Sequence, residues 1–199
     1  MKIIIIGATG TLGKAIVEEL GTRHEIVRAG RSGADVQVDI TSLDSVKAMY
    51  AHVGAVDAVI CAAGNVHFGA LTDITPGQYE IGLKDKLMGQ VNLVLAGQQI
   101  INDGGSFTLI SGVLSDDPIR WGSSASMVNA AIDAFAKAAA IELPRGIRIN
   151  SVSPTVFTES MDKYGAFFRG FKPVAVADAA LAFAKSVEGA QTGKTFVVL

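Results

Sequence analysis

Two patterns of apolar and polar positions alternate along the chain: short, continuous apolar runs and longer segments with helical spacing. Short runs of β-branched residues, of which Ile3 to Ile6 is the clearest, predict strands that are buried on both faces. Longer segments with apolar residues three or four positions apart lie between these runs and predict amphipathic helices. Strands that alternate with helices along the whole length predict an α/β fold, with a doubly wound parallel sheet and helices on both faces.

The predicted elements follow one another in a regular order. Strands are predicted at residues 2–6, 25–29, 36–38, 56–61, 106–110, 147–152 and 195–198. Helices are predicted at residues 14–20, 42–52, 76–101, 123–143 and 177–187, and an irregular substrate-side segment at about 154–173. The length of 199 residues fits one domain spanning 1–199. In such a sheet a ligand binds beyond the carboxyl ends of the strands.

The glycines after the first predicted strand indicate a nucleotide site. Gly7, Gly10 and Gly13 follow the pattern G-x-x-G-x-x-G between a strand and a helix. The first glycine permits a sharp turn, the second a close approach to a pyrophosphate, and the third tight packing of the helix on the sheet. The helix N-terminus adds free N–H groups and the positive end of a dipole. The alternative is a plain tight turn.

The end of the second predicted strand favours one nicotinamide cofactor over the other. An acidic residue usually holds the ribose hydroxyls of NAD at this point, whereas this chain has Arg31 and Ser32. A guanidinium can bind a phosphate through two hydrogen bonds, so we expect NADP rather than NAD. The alternative is a solvated loop arginine. Asp39 and Ile40 are expected to contact the adenine, unless Asp39 only ends a strand.

Composition and charge exclude several other classes of protein. Apolar residues make up 49% of the chain and the net charge is −2, which argues against a nucleic-acid-binding surface. No apolar run is long enough to span a membrane, and a strand that starts at residue 2 leaves no room for a signal peptide. Cys61 is the single cysteine, which excludes an internal disulfide and fits a reducing compartment. We expect a cytoplasmic protein without a metal cluster.

The chain resembles the short-chain dehydrogenase/reductase family along nearly its whole length. The matching segments are residues 7–13, 29–32, 39–41, 61–64, 105–111, 140–143 and 146–154. The resemblance implies a Rossmann-like fold and a nicotinamide cofactor, with Thr158 near the carboxamide. The cofactor contacts expected along these segments are Gly7, Thr9, Gly10, Thr11, Leu12, Gly13, Ala62, Ala63, Gly64, Pro154 and Thr158.

The chain departs from the family at the positions that carry its chemistry. The family uses a Tyr and a Lys four residues apart on the second long helix, where the Tyr protonates the substrate oxygen. Counting back from Glu142 places these positions at Ala125 and Asn129. No Tyr lies between Tyr79 and Tyr164, so no shift of register recovers one.

Two further family positions differ, and the catalytic residues are left open. The serine position falls on Gly112, directly after Ser111, and an asparagine of the first long helix is replaced by Lys86. Ser111 is a candidate for a substrate contact, and Lys86 for a contact with the nicotinamide ribose or a substrate anion. His67 is a candidate replacement acid, and Asn129 is the fourth candidate. The alternatives are a strand-end serine, a surface lysine and an ordinary loop histidine.

Two functions remain open for the sequence. One is an NADP(H)-dependent oxidoreductase of unknown substrate with a non-standard active site. The other is a catalytically inactive NADP-binding sensor or partner-binding protein. The helices predicted at 76–101 and 123–143 are apolar or small almost all round, which indicates that a second face packs on another copy. We expect a homodimer or homotetramer through these helices, as the family resemblance also implies.

Overall fold

The computed structural model describes residues 1–199 and contains one seven-stranded parallel sheet. The strands are β1 (Lys2–Ile6), β2 (Glu25–Gly30), β3 (Val36–Gln37), β4 (Val56–Cys61), β5 (Ile101–Ile110), β6 (Arg148–Pro154) and β7 (Thr195–Val198). Their order is β3-β2-β1-β4-β5-β6-β7, so the direction of winding reverses between β1 and β4. The predicted doubly wound α/β fold is confirmed, and its ligand crevice is expected at this reversal.

The helices cover both faces of the sheet. They are α1 (Thr11–Gly21), α2 (Leu43–Val53), α3 (Pro76–Gly82), α4 (Met88–Gly97), α5 (Ser123–Glu142), α6 (Met161–Tyr164) and α7 (Val176–Glu188). A π turn at Leu83–Leu87 joins α3 to α4, and 3₁₀ turns lie at Val113–Ser115 and Thr158–Ser160. No helix combines the length and the apolar character that crossing a membrane requires.

The four isoleucines of β1 divide the core between the two faces. Ile3 and Ile5 pack with residues of α1 and α7, whereas Ile4 and Ile6 pack with residues of α2, α4 and α5. All four side chains are buried. Each contributes about 1.5–3 kcal/mol relative to an exposed position, and together they fix the strand from which the glycine loop begins.

The helix predicted at residues 76–101 is wrong in two respects. It is interrupted by the π turn, and α4 ends at Gly97, so that Ile101 already begins β5. The strand predicted from residue 106 therefore starts earlier, where Ile101 pairs with Val56. The polar and glycine residues that follow Ile101 lack the apolar pattern of a strand, so the sequence does not reveal this extension. The register with β4 also shifts between Val56 and Ala58. The segment predicted as irregular at 154–173 contains the second 3₁₀ turn and α6.

Candidate active site

A first cavity of about 290 Å³ lies at the carboxyl ends of β1, β2 and β4. Its lining residues are Ile6, Gly7, Thr9, Gly10, Gly30, Arg31, Ser32, Val38, Ile40, Ala62, Ala63, Gly64, Asn65 and Asp85. Nine of the predicted cofactor residues therefore meet around one space. Thr11, Leu12 and Gly13 belong instead to the first turn of α1, directly after the loop.

The backbone of the glycine loop fits a bound pyrophosphate. Gly7 has a φ of +81°, which other residues rarely adopt. A Cβ on Gly13 would lie 2.0 Å from the Gly7 carbonyl oxygen, so α1 starts in direct contact with the loop. Gly10 caps this helix without any side-chain hydrogen bond to it. The first N–H groups of α1 therefore have no capping side chain as a partner. Free N–H groups at a helix N-terminus are the arrangement that binds phosphate oxygens.

Arg31 and Asp85 place opposite charges on the wall of the first cavity. The Arg31 side chain is 67% exposed, and its Nη2 lies 3.6 Å from Asp85 Oδ2. Asp85 is fixed in turn by Asn65, which donates its backbone N–H and its Nδ2 to the carboxylate at 3.1 and 2.9 Å. Sequence reasoning did not identify Asp85, because it lies on the π turn and is far from Arg31 in the chain.

The adenine contact expected of Asp39 is not supported by its position. Asp39 does not line the cavity, whereas Ile40 does. The Asp39 carboxylate accepts from the hydroxyl and the N–H of Thr41 at 2.8 and 3.0 Å, and these bonds lower its pKa. Asp39 therefore holds the turn after β3, and its contact with the adenine stays a prediction.

A second cavity of about 240 Å³ lies at the carboxyl ends of β5 and β6. Its lining residues are Phe68, Lys86, Ile110, Ser111, Gly112, Val113, Leu114, Ala125, Asn129, Pro154, Thr155, Val156, Phe157, Ser160, Tyr164 and Phe168. The candidates Lys86, Ser111 and Asn129 thus meet in one place, with Pro154 beside them. Most of the remaining lining is apolar.

Two further expected site residues, His67 and Thr158, lie outside both cavities. His67 lines neither of them, and a Cβ on Gly69 would lie 3.1 Å from its Nε2. Thr158 also lines neither cavity, and its N–H donates to the Val174 carbonyl at 2.8 Å. The structure therefore gives no support to a contact between Thr158 and a carboxamide, or to His67 as an acid in this cavity.

Lys86 lies where the two cavities adjoin. Its Nζ donates to Asn129 Oδ1 at 2.6 Å and to the Ser111 carbonyl oxygen at 2.8 Å, both in the wall of the second cavity. Its aliphatic stem runs past Gly64, which lines the first cavity and has a φ of +143°. A Cβ on Gly64 would lie only 2.5 Å from Lys86 Cγ. One side chain therefore connects the glycine-loop cavity to the apolar cavity.

The π turn and Gln90 position Lys86. π turns are rare and are concentrated at functional sites, and this one contains Lys86 in its fourth position. Gln90, which is fully buried, donates its Nε2 to the Lys86 and Ile110 carbonyl oxygens at 3.0 and 2.9 Å. Its Oε1 accepts from the Ile110 N–H at 2.8 Å. Gln90 therefore binds the backbone of the turn to the end of β5.

Lys86 is a half-buried ammonium without a carboxylate partner. It takes part in none of the ion pairs of the structure. Burial lowers its pKa to about 8, although Cys61 and Asp133 act in the opposite direction. The Asp133 carboxylate instead accepts from Ser151 Oγ at 2.6 Å. Ionisable groups whose pKa is shifted by burial are concentrated at functional sites.

The two positions expected for the family's Tyr and Lys both lie at the second cavity. Ala125 and Asn129 are buried on the same side of α5 and line the cavity together. Sequence reasoning missed Tyr164 and Thr155, which also line it. A tyrosine in the segment expected on the substrate side was the available signal for Tyr164. No group of His, Cys, Asp or Glu side chains could hold a metal ion.

Comparison with known sequences identifies relatives that are described as reductases or oxidoreductases. A family model described as "Enoyl-(Acyl carrier protein) reductase" matches residues 7–199. An uncharacterized oxidoreductase of Mycobacterium tuberculosis is 26% identical over 188 residues, which cover 82% of this chain and 70% of that protein. An uncharacterized oxidoreductase of Bacillus subtilis, YmfI, is 26% identical over 186 residues, which cover 81% of this chain and 77% of that protein.

Solved structures with the same fold include a dehydrogenase. The protein lin1944 from Listeria innocua is 54% identical, with a TM-score of 0.98 and complete coverage of both chains. A small-chain dehydrogenase in complex with NADPH is 26% identical, with a TM-score of 0.88 and coverage of 100% of this chain and 96% of that one. Together with the glycine loop and the doubly wound sheet, these matches show that the chain belongs to the short-chain dehydrogenase/reductase family of oxidoreductases.

Proposed function

We propose that the chain is a cytoplasmic NADP(H)-dependent oxidoreductase that binds the cofactor in the first cavity and an apolar substrate in the second. The observation that carries this proposal is the position of Lys86, whose side chain adjoins Gly64 of one cavity and Asn129 of the other. A cofactor and a substrate that occupy these cavities would meet beside it. The buried, free Cys61 is consistent with a reducing compartment.

The first cavity offers groups for each charged part of NADP. The N–H groups at the start of α1 suit the pyrophosphate, since no side chain caps them. Arg31 and Ser32 suit the 2′-phosphate, because the Arg31 guanidinium is mostly exposed and the hydroxyl lies beside it in sequence. The NADPH complex of a similar dehydrogenase supports the same choice. When bound, NADPH supplies a hydride.

Cofactor affinity tests this assignment. We expect NADPH to bind more tightly than NADH, measured by isothermal titration calorimetry. A charge-assisted hydrogen bond contributes about 1.5–3 kcal/mol, so Arg31→Ala should weaken NADPH binding by about tenfold or more and leave NADH nearly unchanged. Arg120→Ala is a matched control, because Arg120 lines neither cavity. Equal losses for the two cofactors would contradict the role of Arg31.

A second candidate function is a catalytically inactive NADP-binding sensor or partner-binding protein. Ala125 favours it, because the family resemblance puts the proton donor at this residue, which lines the second cavity and has no proton to give. NADPH binding without oxidation of NADPH by any carbonyl, quinone or flavin would support this candidate. Turnover well above the background rate would exclude it.

We also propose that α4 and α5 pair with those of a second copy to form a homodimer or homotetramer. α5 exposes a stripe of small and apolar residues on the side away from the sheet: Met127, Ala130, Ala134, Ala138 and Ile141. Around α4, Ile81, Met88 and Leu95 are exposed at intervals of one heptad. Small residues let helices approach closely around a two-fold axis. Light scattering at micromolar concentration tests the assembly, and a monomer there would contradict it.

A further inference from the structure

We propose that Lys86 is a catalytic residue that binds the oxygen of an apolar aldehyde or ketone in the second cavity and supplies the proton for its reduction. This inference rests on the proposed NADP(H)-dependent function. It assigns a proton donor to a site at which the family resemblance implies a tyrosine and this chain has Ala125.

The hydrogen bonds of Lys86 leave one donor free for a ligand. An ammonium has three N–H groups. Two of them are used by Asn129 Oδ1 and the Ser111 carbonyl oxygen. The third has no acceptor within the protein, and Lys86 lines the cavity. The bonds to Asn129 and Ser111 therefore fix the position of Nζ while one N–H remains available to a substrate oxygen.

The walls of the cavity indicate an apolar substrate with a small polar group. Nine of the sixteen lining residues are hydrophobic, among them Phe68, Phe157 and Phe168. Thr155 is 5% exposed, lines the same cavity, and its hydroxyl has no hydrogen-bond partner. A buried hydroxyl without a partner is costly, so it points to a polar ligand atom. A carbonyl group on an apolar body meets both requirements.

The reaction balances with one proton from Lys86. The carbonyl carbon takes the hydride that NADPH supplies, the π electron pair of the C=O bond moves to the oxygen, and NADP⁺ remains. The oxygen takes a proton from Lys86 Nζ, which gives an alcohol and a neutral amine. Asn129 Nδ2 donates to the Gly112 carbonyl at 3.2 Å, so its Oδ1 stays turned to Nζ through this exchange. Water then returns the proton to the amine.

The titratable groups around Nζ suit a proton donor at neutral pH. Burial lowers the pKa of Lys86 to about 8, which makes the ammonium a stronger acid than an ordinary lysine. Cys61 of β4 faces it, with a pKa that burial raises to about 12, and Asp133 of α5 adds a negative charge. Tyr164 of α6 lines the same cavity, and Asp85 of the same turn contacts Arg31 and Asn65.

Chemical labelling tests the site without requiring turnover. Cinnamaldehyde with cyanoborohydride at pH 7.5 converts a neutral lysine amine to a secondary amine, which mass spectrometry locates. We expect Lys86 to be labelled at least about tenfold faster than exposed lysines, because its lowered pKa leaves more neutral amine. Lys84→Met is a matched control, since Lys84 is exposed on the same turn and pairs with Glu80. Labelling of exposed lysines at an equal rate would overturn the proposal.

Turnover tests the proton transfer itself. The probes are cinnamaldehyde, 1-phenyl-1,2-propanedione and 9,10-phenanthrenequinone, with NADPH oxidation followed by absorbance. We expect Lys86→Met to lower kcat by about 10²–10⁴ while NADPH affinity stays within about threefold. Lys86→Arg should lose a similar factor, because a guanidinium keeps its proton. The wild-type rate should fall above pH 8, and Lys84→Met should match the wild type.

The other outcomes separate this proposal from the cofactor assignment. A rate that survives in Lys86→Met but is lost in Tyr164→Phe would overturn the role of Lys86 and assign the proton to Tyr164. NADPH binding without reduction of any of the three probes would overturn the substrate class and leave the proposed cofactor site intact. Failure of the wild-type protein to bind NADPH would overturn both proposals.

Discussion

The two cavities of the candidate active site are built from different parts of the chain. The first is formed mainly by backbone, namely the glycine loop after β1 and the short turns after β2 and β4. The second is formed by side chains that α5, α6, β5, β6 and the π turn bring together from distant parts of the chain. A backbone-built site is fixed by steric limits on a few adjacent residues, whereas a side-chain-built site can be changed by single substitutions that keep the fold.

The second cavity shows such a change. The family resemblance puts a lysine on α5 and an asparagine on the helix before it, and this chain has Asn129 and Lys86 at those positions. The two residue types are exchanged between the helices, yet Nζ and Oδ1 lie 2.6 Å apart. The exchange keeps an amide and an ammonium in contact at one wall of the cavity. It also moves the stem of the lysine to the side of Gly64.

The largest effect is expected where the backbone alone builds the first cavity. Gly13→Ala would put a Cβ 2.0 Å from the Gly7 carbonyl oxygen, which only a shift of α1 or of the loop can relieve. We expect a loss of at least about 4 kcal/mol in the free energy of unfolding and no measurable NADPH binding. Urea denaturation followed by circular dichroism measures the first, and calorimetry the second.

Gly77→Ala is the control for this substitution, because nothing lies within 4 Å of a Cβ at that position in α3. It should leave the free energy of unfolding unchanged or raise it by about 0.5 kcal/mol. A Gly13→Ala protein that binds NADPH as well as the wild type would show that the first cavity tolerates change in the same way as the second.

An intermediate effect is expected at Gln90, which joins the π turn to β5. Gln90→Met keeps the volume but leaves the Lys86 carbonyl and both backbone groups of Ile110 without these partners. Buried polar groups that lose a partner cost about 1–3 kcal/mol each, so we expect a loss of about 3 kcal/mol in urea denaturation.

Gln98→Met is the matched control, since its amide makes an exposed hydrogen bond to the Leu95 carbonyl. Its effect should stay within about 0.5 kcal/mol. Equal effects of the two glutamine substitutions would show that Gln90 does not fix the turn, and the position of Lys86 would then need another explanation.

A smaller effect is expected from the pH dependence of stability. The pKa of Lys86 is about 8 in the folded protein and near 10.4 in an unfolded chain. Between these values the unfolded chain holds a proton that the folded protein has released. This group therefore makes the free energy of unfolding rise with pH, by about 2 kcal/mol in total from pH 8 to pH 10.

The difference between wild type and Lys86→Met isolates this contribution. Burial raises the pKa of Cys61 to about 12, so the thiol makes stability fall with pH and acts against Lys86 in the wild-type curve. Both proteins share that thiol. Denaturation curves that run parallel from pH 8 to pH 10 would mean that the Lys86 ammonium is as well solvated as a surface lysine.

Local pattern was sufficient to predict most of the fold and the first cavity. The four isoleucines of β1 and the glycines after them are adjacent in sequence, and their geometry follows from sterics. The early start of β5 was missed, because Asn102–Gly105 lack the apolar pattern of a strand. The position of Lys86 between the two cavities could not be predicted, since it depends on a π turn, on Gly64 and on Gln90. Tyr164 reaches the cavity only through the folding of residues 154–173.

The π turn has one more consequence, which concerns insertions and deletions. Each residue of an α-helix advances the side-chain direction by about 100°, and a π turn accommodates one extra residue without rewinding the helix that follows. The π turn at Leu83–Leu87 therefore contains one residue more than a regular helix would need between α3 and α4. Removing one exposed residue here, such as Lys84, would restore a continuous α-helix in which α3 and α4 keep their directions, but it would shift the residues within the turn. The direction of Lys86 is thus set by chain length in this turn as much as by residue identity.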